Sequence, residues 1–275
     1  MIEISRVITI GQYVPQSSVI HKIDPRMKIL AAVIFIIVVS VVNSFAALAA
    51  LTLFIILLIP ISKLTFRFIL ITLRPALFFI AIMGIFQVLF YQQSGNQETL
   101  WSWWILHITV QGIIASMKVD IRSLLLYIFV NMLTYTTTFV ELTDGAGSLM
   151  SPLQKIGVPV QEYMLTIMIA LKFVPLFVEQ LEQSIKAQAA RGSSMDSGNF
   201  FSRAAKVSPL LIPLVLNGFQ RAEQMAVALE ARSYRGGKNR TKYRVLRLKP
   251  SDIFVMVFFM LIMAITLYIN IRWMI

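Results

Sequence analysis

Residues 29–62 carry no charged side chain, and no soluble fold buries so long an apolar stretch without interruption. The run is well beyond the ~20 residues with which one helix crosses a bilayer. Asn43-Ser44, near its middle, divides it into two spans joined by a tight turn. Upstream, His21-Lys22-Ile23-Asp24-Pro25-Arg26-Met27-Lys28 reads as a turn, with Pro25 opening a helix at its first position. Arg26 and Lys28 mark a cytoplasmic flank. Lys63, Arg67 and Arg74 return the chain to the same side, so the first two spans form a hairpin with both ends inside.

A third span is expected over residues 75–90. It emerges into residues 92–99, a polar loop holding Glu98 and no lysine or arginine. Trp101, Trp103 and Trp104 follow, the amphipathic rings of a bilayer edge, which places this loop outside. In the fourth span Lys118, Asp120 and Arg122 sit near the start of a helical run that continues from Leu124 to Phe139. They read as a local ion-pair cluster facing protein or water, with Asp120 between two cations. Thr134, Thr136, Thr137 and Thr138 are suited to satisfying backbone carbonyls or packing against neighbouring helices. Residues 253–271 form the last span. The basic run Arg235, Lys238, Arg240, Lys242, Arg244, Arg247 and Lys249 precedes it and is held inside, so the chain ends outside.

Composition agrees and narrows the chemistry. The chain is 57% hydrophobic with a net charge of +12. The absence of cysteine excludes disulfides, thiolate metal sites and cysteine nucleophiles. The two histidines, His21 and His107, lie far apart and do not suit an imidazole metal site. Residues 1–18 lack a short apolar core followed by a cleavage site, so the first span is expected to target the chain. Gly236-Gly237-Lys238 lacks the preceding pattern of a nucleotide loop, and no nucleophile stands with a base. Paired acids, histidines or glycine-broken helices near mid-membrane, which mark a secondary transporter, are missing from the spans. The spans read as an anchor.

Between these spans lies a region of mixed character. Asp144-Gly145-Ala146-Gly147 reads as a turn, and residues 149–156 as a short helix framed by Gly147 and Gly157. Residues 160–178 are apolar enough to span but are interrupted by Glu162, Lys172 and Pro175, which favours a helix along the inner interface. Residues 209–216 share this ambiguity. One short pattern then appears twice: Ala190-Arg191-Gly192, and about forty residues later Ala231-Arg232-Ser233. Each closes a helix with one apolar face: Leu181, Ile185 and Ala189 in the first, Ala222, Met225, Ala226 and Leu229 in the second. Gly192-Ser193-Ser194 and Gly236-Gly237 are the breakers. A single arginine at a helix end caps it against the negative pole of the macrodipole. Two on paired rods suit acidic grooves of soluble partners, where a guanidinium makes bidentate contacts with carboxylates or helix-end carbonyls.

With these residues in view, the chain resembles the transmembrane T component of energy-coupling factor transporters. Four stretches carry the likeness: SVIHKIDPRMKIL at 18–30, TTTFVELTDGAGSLMSPL at 136–153, AQAARGSSMDSGNFFSRAAKVSPLLIP at 187–213 and ALEARSYRGGKNRTKYR at 228–244. Ser233 departs from the family's commoner glycine. The resemblance implies an all-α integral membrane protein of about five transmembrane helices, with a cytoplasmic helical coupling domain built on two long crossing helices. The expected organisation is a cytoplasmic segment at 1–26, membrane helices at 27–139, a coupling domain at 140–249 and a last span at 250–275. It further implies a non-catalytic scaffold that binds no cofactor. Two ATP-binding-cassette ATPases carry ATP and Mg, and a substrate-binding membrane subunit, possibly interchangeable, carries the nutrient, a vitamin rather than nickel or cobalt. Carried over by position, the ATPase-contacting residues are Ala190, Arg191, Gly192, Glu230, Ala231, Arg232, Ser233 and Arg235, with Arg191 in one ATPase and Arg232 in the other. Residues 149–178 and 210–219 would hold the substrate subunit, and Pro175, Pro209 and Pro213 are the hinge candidates. Two other readings stay open: a conventional permease with its own substrate path, and a membrane-anchored protein whose basic run binds anionic lipid or nucleic acid.

Overall fold

A computed structural model describes residues 14, 16–91, 99–103, 106–191, 200–234, 236 and 248–273. The chain divides into two compact units, one of Tyr13–Gly145 with Leu246–Ile275, the other of Met1–Gln12 with Ala146–Val245.

The first unit opens with α1 (Val19–Lys22), α2 (Pro25–Val41) and α3 (Phe45–Ile61). Pro25 stands at the first helical position of α2, and the Asp24 carboxylate accepts from the Arg26 N–H, 2.9 Å away. Residues 42–44 break the apolar run where Asn43-Ser44 was expected to. A staple fixes that turn: Asn270 Oδ1 accepts from both the Asn43 and Ser44 N–H groups, each at 2.9 Å. The next helix, α4 (Phe66–Phe90), starts a full two turns before the expected span and carries Pro75, Arg67 and Arg74 within it. Pro75 is tolerated within a membrane helix, and next to the turn it interrupts Tyr127 Oη donates to the Thr72 carbonyl at 3.0 Å.

Two short antiparallel strands, β1 (Thr99–Trp103) and β2 (Leu106–Thr109), follow at positions where only tryptophans at a bilayer edge were expected. Their tryptophan, isoleucine and threonine content favours extended backbone, a signal that the interfacial reading of the tryptophans had absorbed. The central helix α5 (Val110–Thr136) packs against α2, α3 and α4, and α9 (Pro250–Arg272) against α2 and α3. Phe35 stacks on Phe129 at 4.0 Å between centroids, and Phe129 and Phe54 both meet Phe259. Leu48, Leu51, Leu125 and Tyr135 complete a closed core. The outward positions are as apolar as the inner ones: Phe78, Phe79, Met83, Phe254 and Phe258 are exposed. That distribution is what a bilayer solvates.

Lys28 is buried among three acceptors. Its Nζ donates to the Thr136 carbonyl at 2.9 Å, Thr137 Oγ1 at 3.0 Å and the His21 carbonyl at 3.3 Å. The Thr136 carbonyl is a helix-end acceptor without an intrahelical partner, where a cation is favoured. His21 in turn bridges Ser18 and the Val14 carbonyl, and burial pushes its imidazole below the ordinary 6.5, a shift that Val14 opposes. Among the four threonines, Thr134 and Thr136 do bond to carbonyls one turn back.

The expected turn at Asp144-Gly145-Ala146-Gly147 is instead part of a helix, α6 (Phe139–Leu149). Thr138 and Glu141 form a reciprocal capping box at its start, both bonds at 3.3 Å. The glycines serve packing: a Cβ on Gly145 would come within 3.1 Å of Pro25 Cβ and Ile29 Cδ1.

In the second unit a 3-10 helix (Ser151–Ile156) ends at Gly157, whose φ of 93° needs a residue without Cβ. Then come α7 (Val160–Ala190) and α8 (Phe200–Ala231). The expected interfacial segment at 160–178 and the polar run ending at Arg191 are thus one continuous helix of 31 residues. Phe66–Phe90, Val160–Ala190 and Pro250–Arg272 are each long and apolar enough to cross a membrane; α2 and α3 are 17 residues each, and α5 carries three charges.

Two arginine-ended helices as the candidate functional site

The site builds up from where α7 and α8 touch. A Cβ on Gly218 of α8 would lie 3.4 Å from Phe177 Cζ of α7, in van der Waals contact, which marks where the two rods meet. Beyond the end of α8, Gly236 stands 3.4 Å, measured the same way, from Glu162 Oε1 at the start of α7. The two contacts together run the helices antiparallel. Arg191 lies 14 positions beyond Phe177, and Arg232 lies 14 positions beyond Gly218. At 1.5 Å per residue each arm is about 21 Å long, and the two tips stand roughly 40 Å apart on opposite ends of the pair.

Each tip is built differently. Arg191 is the C-cap of α7, its N–H bonded to the Ala187 carbonyl at 3.3 Å. Arg232 ends α8 in a two-bond motif: the Ser233 N–H reaches the Glu230 carbonyl at 2.8 Å and the Tyr234 N–H reaches the Leu229 carbonyl at 3.0 Å. Ser233 holds this motif at φ 57°, in the left-handed region where a Cβ is strained. The stop is therefore Ser233 and not the expected Gly236-Gly237, because the backbone bonds close at the first residue that can turn left-handed. Ser233→Gly is expected to relieve about 1 kcal/mol and to slow amide exchange over residues 229–234 roughly fivefold, read by mass spectrometry.

Ala190, Arg191, Glu230, Ala231, Arg232 and Ser233 are all exposed. Neither guanidinium has a hydrogen-bond or ion-pair partner among the described residues. Gly192 and Arg235 lie outside the described residues, as do Trp104 and the basic run from Lys238 to Arg247. Pro175, Pro209 and Pro213 sit inside continuous helices and are exposed. Beside them runs unpartnered apolar surface: Ile156, Tyr163, Ile167, Leu211, Ile212 and Phe219 are exposed. Among the described residues no group of three or more acids or histidines could hold a metal ion.

The expected ion-pair cluster of Lys118, Asp120 and Arg122 does not form. Residues two apart point to different sides of a helix, and each of the three finds its own partner. Asp120 Oδ2 meets Ser116 Oγ at 3.3 Å and lies against Gly84, while Lys118 sits 5.0 Å above the Phe45 ring. Arg122 Nη2 donates to the Val42 carbonyl at 2.6 Å and Asn43 Oδ1 at 2.9 Å. Sequence reasoning missed the contact between Gly218 and Phe177, which pairs positions 41 residues apart and left no local signal.

The apolar helical unit and the long apolar helices Phe66–Phe90, Val160–Ala190 and Pro250–Arg272 define an all-α integral membrane protein. The family described as CbiQ, cobalt transport protein, matches residues 16–243. The energy-coupling factor transporter transmembrane protein EcfT of Ruminiclostridium cellulolyticum is 42% identical over 250 residues, 91% of this chain and 92% of that protein. That of Clostridium kluyveri is 37% identical over 266 residues, 97% of this chain and 98% of its own length. The Bacillus subtilis protein of the same name is 33% identical over 261 residues, or 95% and 97%. The chain belongs to this family and is a transmembrane component of an energy-coupling factor transporter.

Proposed function

We propose that this chain is the non-catalytic scaffold through which ATP hydrolysis by two cytoplasmic ATPases moves a substrate-binding membrane subunit, for uptake of a micronutrient, a vitamin in our reading. The observation that carries it is the pair of exposed arginines, without partners among the described residues, at equal distances from one helix contact. Arg191 seats in a groove of one ATPase and Arg232 in a groove of the other, flanked by Ala190, Gly192, Glu230, Ala231, Ser233 and Arg235. ATP and Mg stay with the ATPases, and this chain binds no cofactor and no nucleic acid. The exposed apolar residues within 149–178 and 211–219 hold the substrate subunit, and closure of the ATPase dimer tilts that subunit through the two arms. Pro175, Pro209 and Pro213 are where the arms yield. About five spans from residues 27–139 and 250–275 anchor the coupling region at 140–249, with the N-terminus cytoplasmic and the C-terminus extracellular, as the charge bias directs.

Reconstitution separates this reading from a permease with its own path. Proteoliposomes holding this chain and the two ATPases are expected to hydrolyse ATP without accumulating substrate, and to accumulate it once the substrate-binding subunit is added. Uptake without that subunit would make the chain a permease.

A further inference from the structure

At the end of the first unit where the α2–α3 turn, the end of α4 and the start of α5 meet lies a cavity of about 420 Å³. Its polar lining is Lys118, Arg122, Asn43, Gln87, Gln111 and Tyr91. Along α5, Gln111, Lys118 and Arg122 fall on one helix face, and Gln87 lies in the last turn of α4, four positions before its C-cap Tyr91. Lys118 and Arg122 lie about 12 and 18 Å along α5 from Val110, and their contacts with Phe45, Val42 and Asn43 set both at the level of the α2–α3 turn, the end of the membrane unit.

The local partners do not neutralise this charge. Two cations spaced four apart on one helix repel each other. Lys118 has an aromatic ring beneath it, and Arg122 holds one carbonyl and one amide oxygen, all of them uncharged. Arg122 Nε is buried and has no hydrogen-bond partner among the described residues. Among the described residues the nearby acid, Asp120, lies against Gly84 and Ser116 and is not among the lining residues. What remains is a concave site with two cations and several neutral donors, the amides Gln87, Gln111 and Asn43. Its complement is a compact oxyanion, and within reach of a membrane the abundant one is a phosphate ester.

We propose that this cavity binds the phosphate of an anionic phospholipid, held by Lys118 and Arg122, with Gln87 and Gln111 on its remaining oxygens. The bound lipid neutralises the paired cations and ties α4 to α5 at this end of the membrane unit. Arg122 also clasps the α2–α3 turn, so the informative variants are Lys118→Gln and Gln111→Leu, with exposed Lys22→Gln as the control.

The full chain, purified in mild detergent, is titrated with short-chain phosphatidylglycerol, with phosphatidylcholine and with inorganic phosphate, following retained ligand by native mass spectrometry and the thermal midpoint. Phosphatidylglycerol is expected to be retained and to raise the midpoint, with about tenfold weaker binding in Lys118→Gln and unchanged binding in Lys22→Gln. A shift with inorganic phosphate that is lost in Lys118→Gln supports the same site with a free anion as its occupant. If Lys118→Gln does not fold, Gln111→Leu decides, with an expected loss of several-fold. No binding by either probe, binding equal in both variants and the control, or equal retention of phosphatidylcholine overturns the proposal.

Discussion

The double variant Arg191→Ala with Arg232→Ala is expected to reduce substrate uptake to below about a tenth of the native rate and to weaken recovery of the ATPases with this subunit. Both side chains are exposed and bond to nothing among the described residues, so the substitutions remove no internal contact. Surface changes of this kind leave stability within about 0.5 kcal/mol. The effect therefore falls on the partners. Removing an arginine from a desolvated, hydrogen-bonded interface costs about 2–5 kcal/mol, and two independent grooves lose that twice. Each single variant leaves one arm seated and is expected to retain intermediate recovery of the ATPases. Arg→Lys at either tip keeps the charge and loses the planar fork, which separates bidentate recognition from simple attraction. Uptake assays in proteoliposomes, with co-purified ATPase quantified alongside, give both readouts; native uptake by the double variant would remove the coupling mechanism while leaving the family membership intact.

Features set by neighbouring residues were legible in the sequence. Pro25 after Asp24 opened α2, Asn43-Ser44 divided the long apolar run, and both arginine patterns closed helices. Features set by distant residues were not. Gly145 and Gly147 read as breakers because glycine destabilises a helix locally by about 1 kcal/mol. In the fold they are the places where Pro25, Ile29 and Met164 approach α6, and the Thr138–Glu141 box starts the helix that crosses them. The apparent triad of Lys118, Asp120 and Arg122 failed for a related reason. Adjacent positions in sequence suggested mutual pairing, whereas helical geometry sends the three side chains to partners on α3, α4 and the α2–α3 turn. The arginines were visible as helix ends, but their equal separation from the crossing point required knowing which residue Gly218 meets.

Lys28 shows what such long-range information does for stability. The sequence presented it as a membrane-flanking cation, one of several with the same expected role. The structure buries it at 7% exposure and joins it to residues more than a hundred positions away. Two of the four stretches that carry the family likeness meet here, since Lys28 belongs to the first and Thr136 and Thr137 to the second. Lys28→Met preserves the length of the side chain and removes the ammonium. The Thr136 and His21 carbonyls then lose their donor, and only the Thr137 hydroxyl can rotate to serve one of them. With about 1–3 kcal/mol for each buried group left unpaired, the loss is expected to be about 3 kcal/mol. For a chain of this size that corresponds to a fall of roughly 8 °C in the melting temperature in detergent. Lys22→Met, at an exposed position six residues upstream, is the matched control and should melt with the native protein. A Lys28→Met protein that melts within about 1 °C of native would mean that the ammonium does no more here than the surrounding apolar contacts supply. In that case the joint between residues 18–30 and 136–153 rests on Gly145 packing against Pro25 and Ile29, and Gly145→Leu becomes the change that opens it.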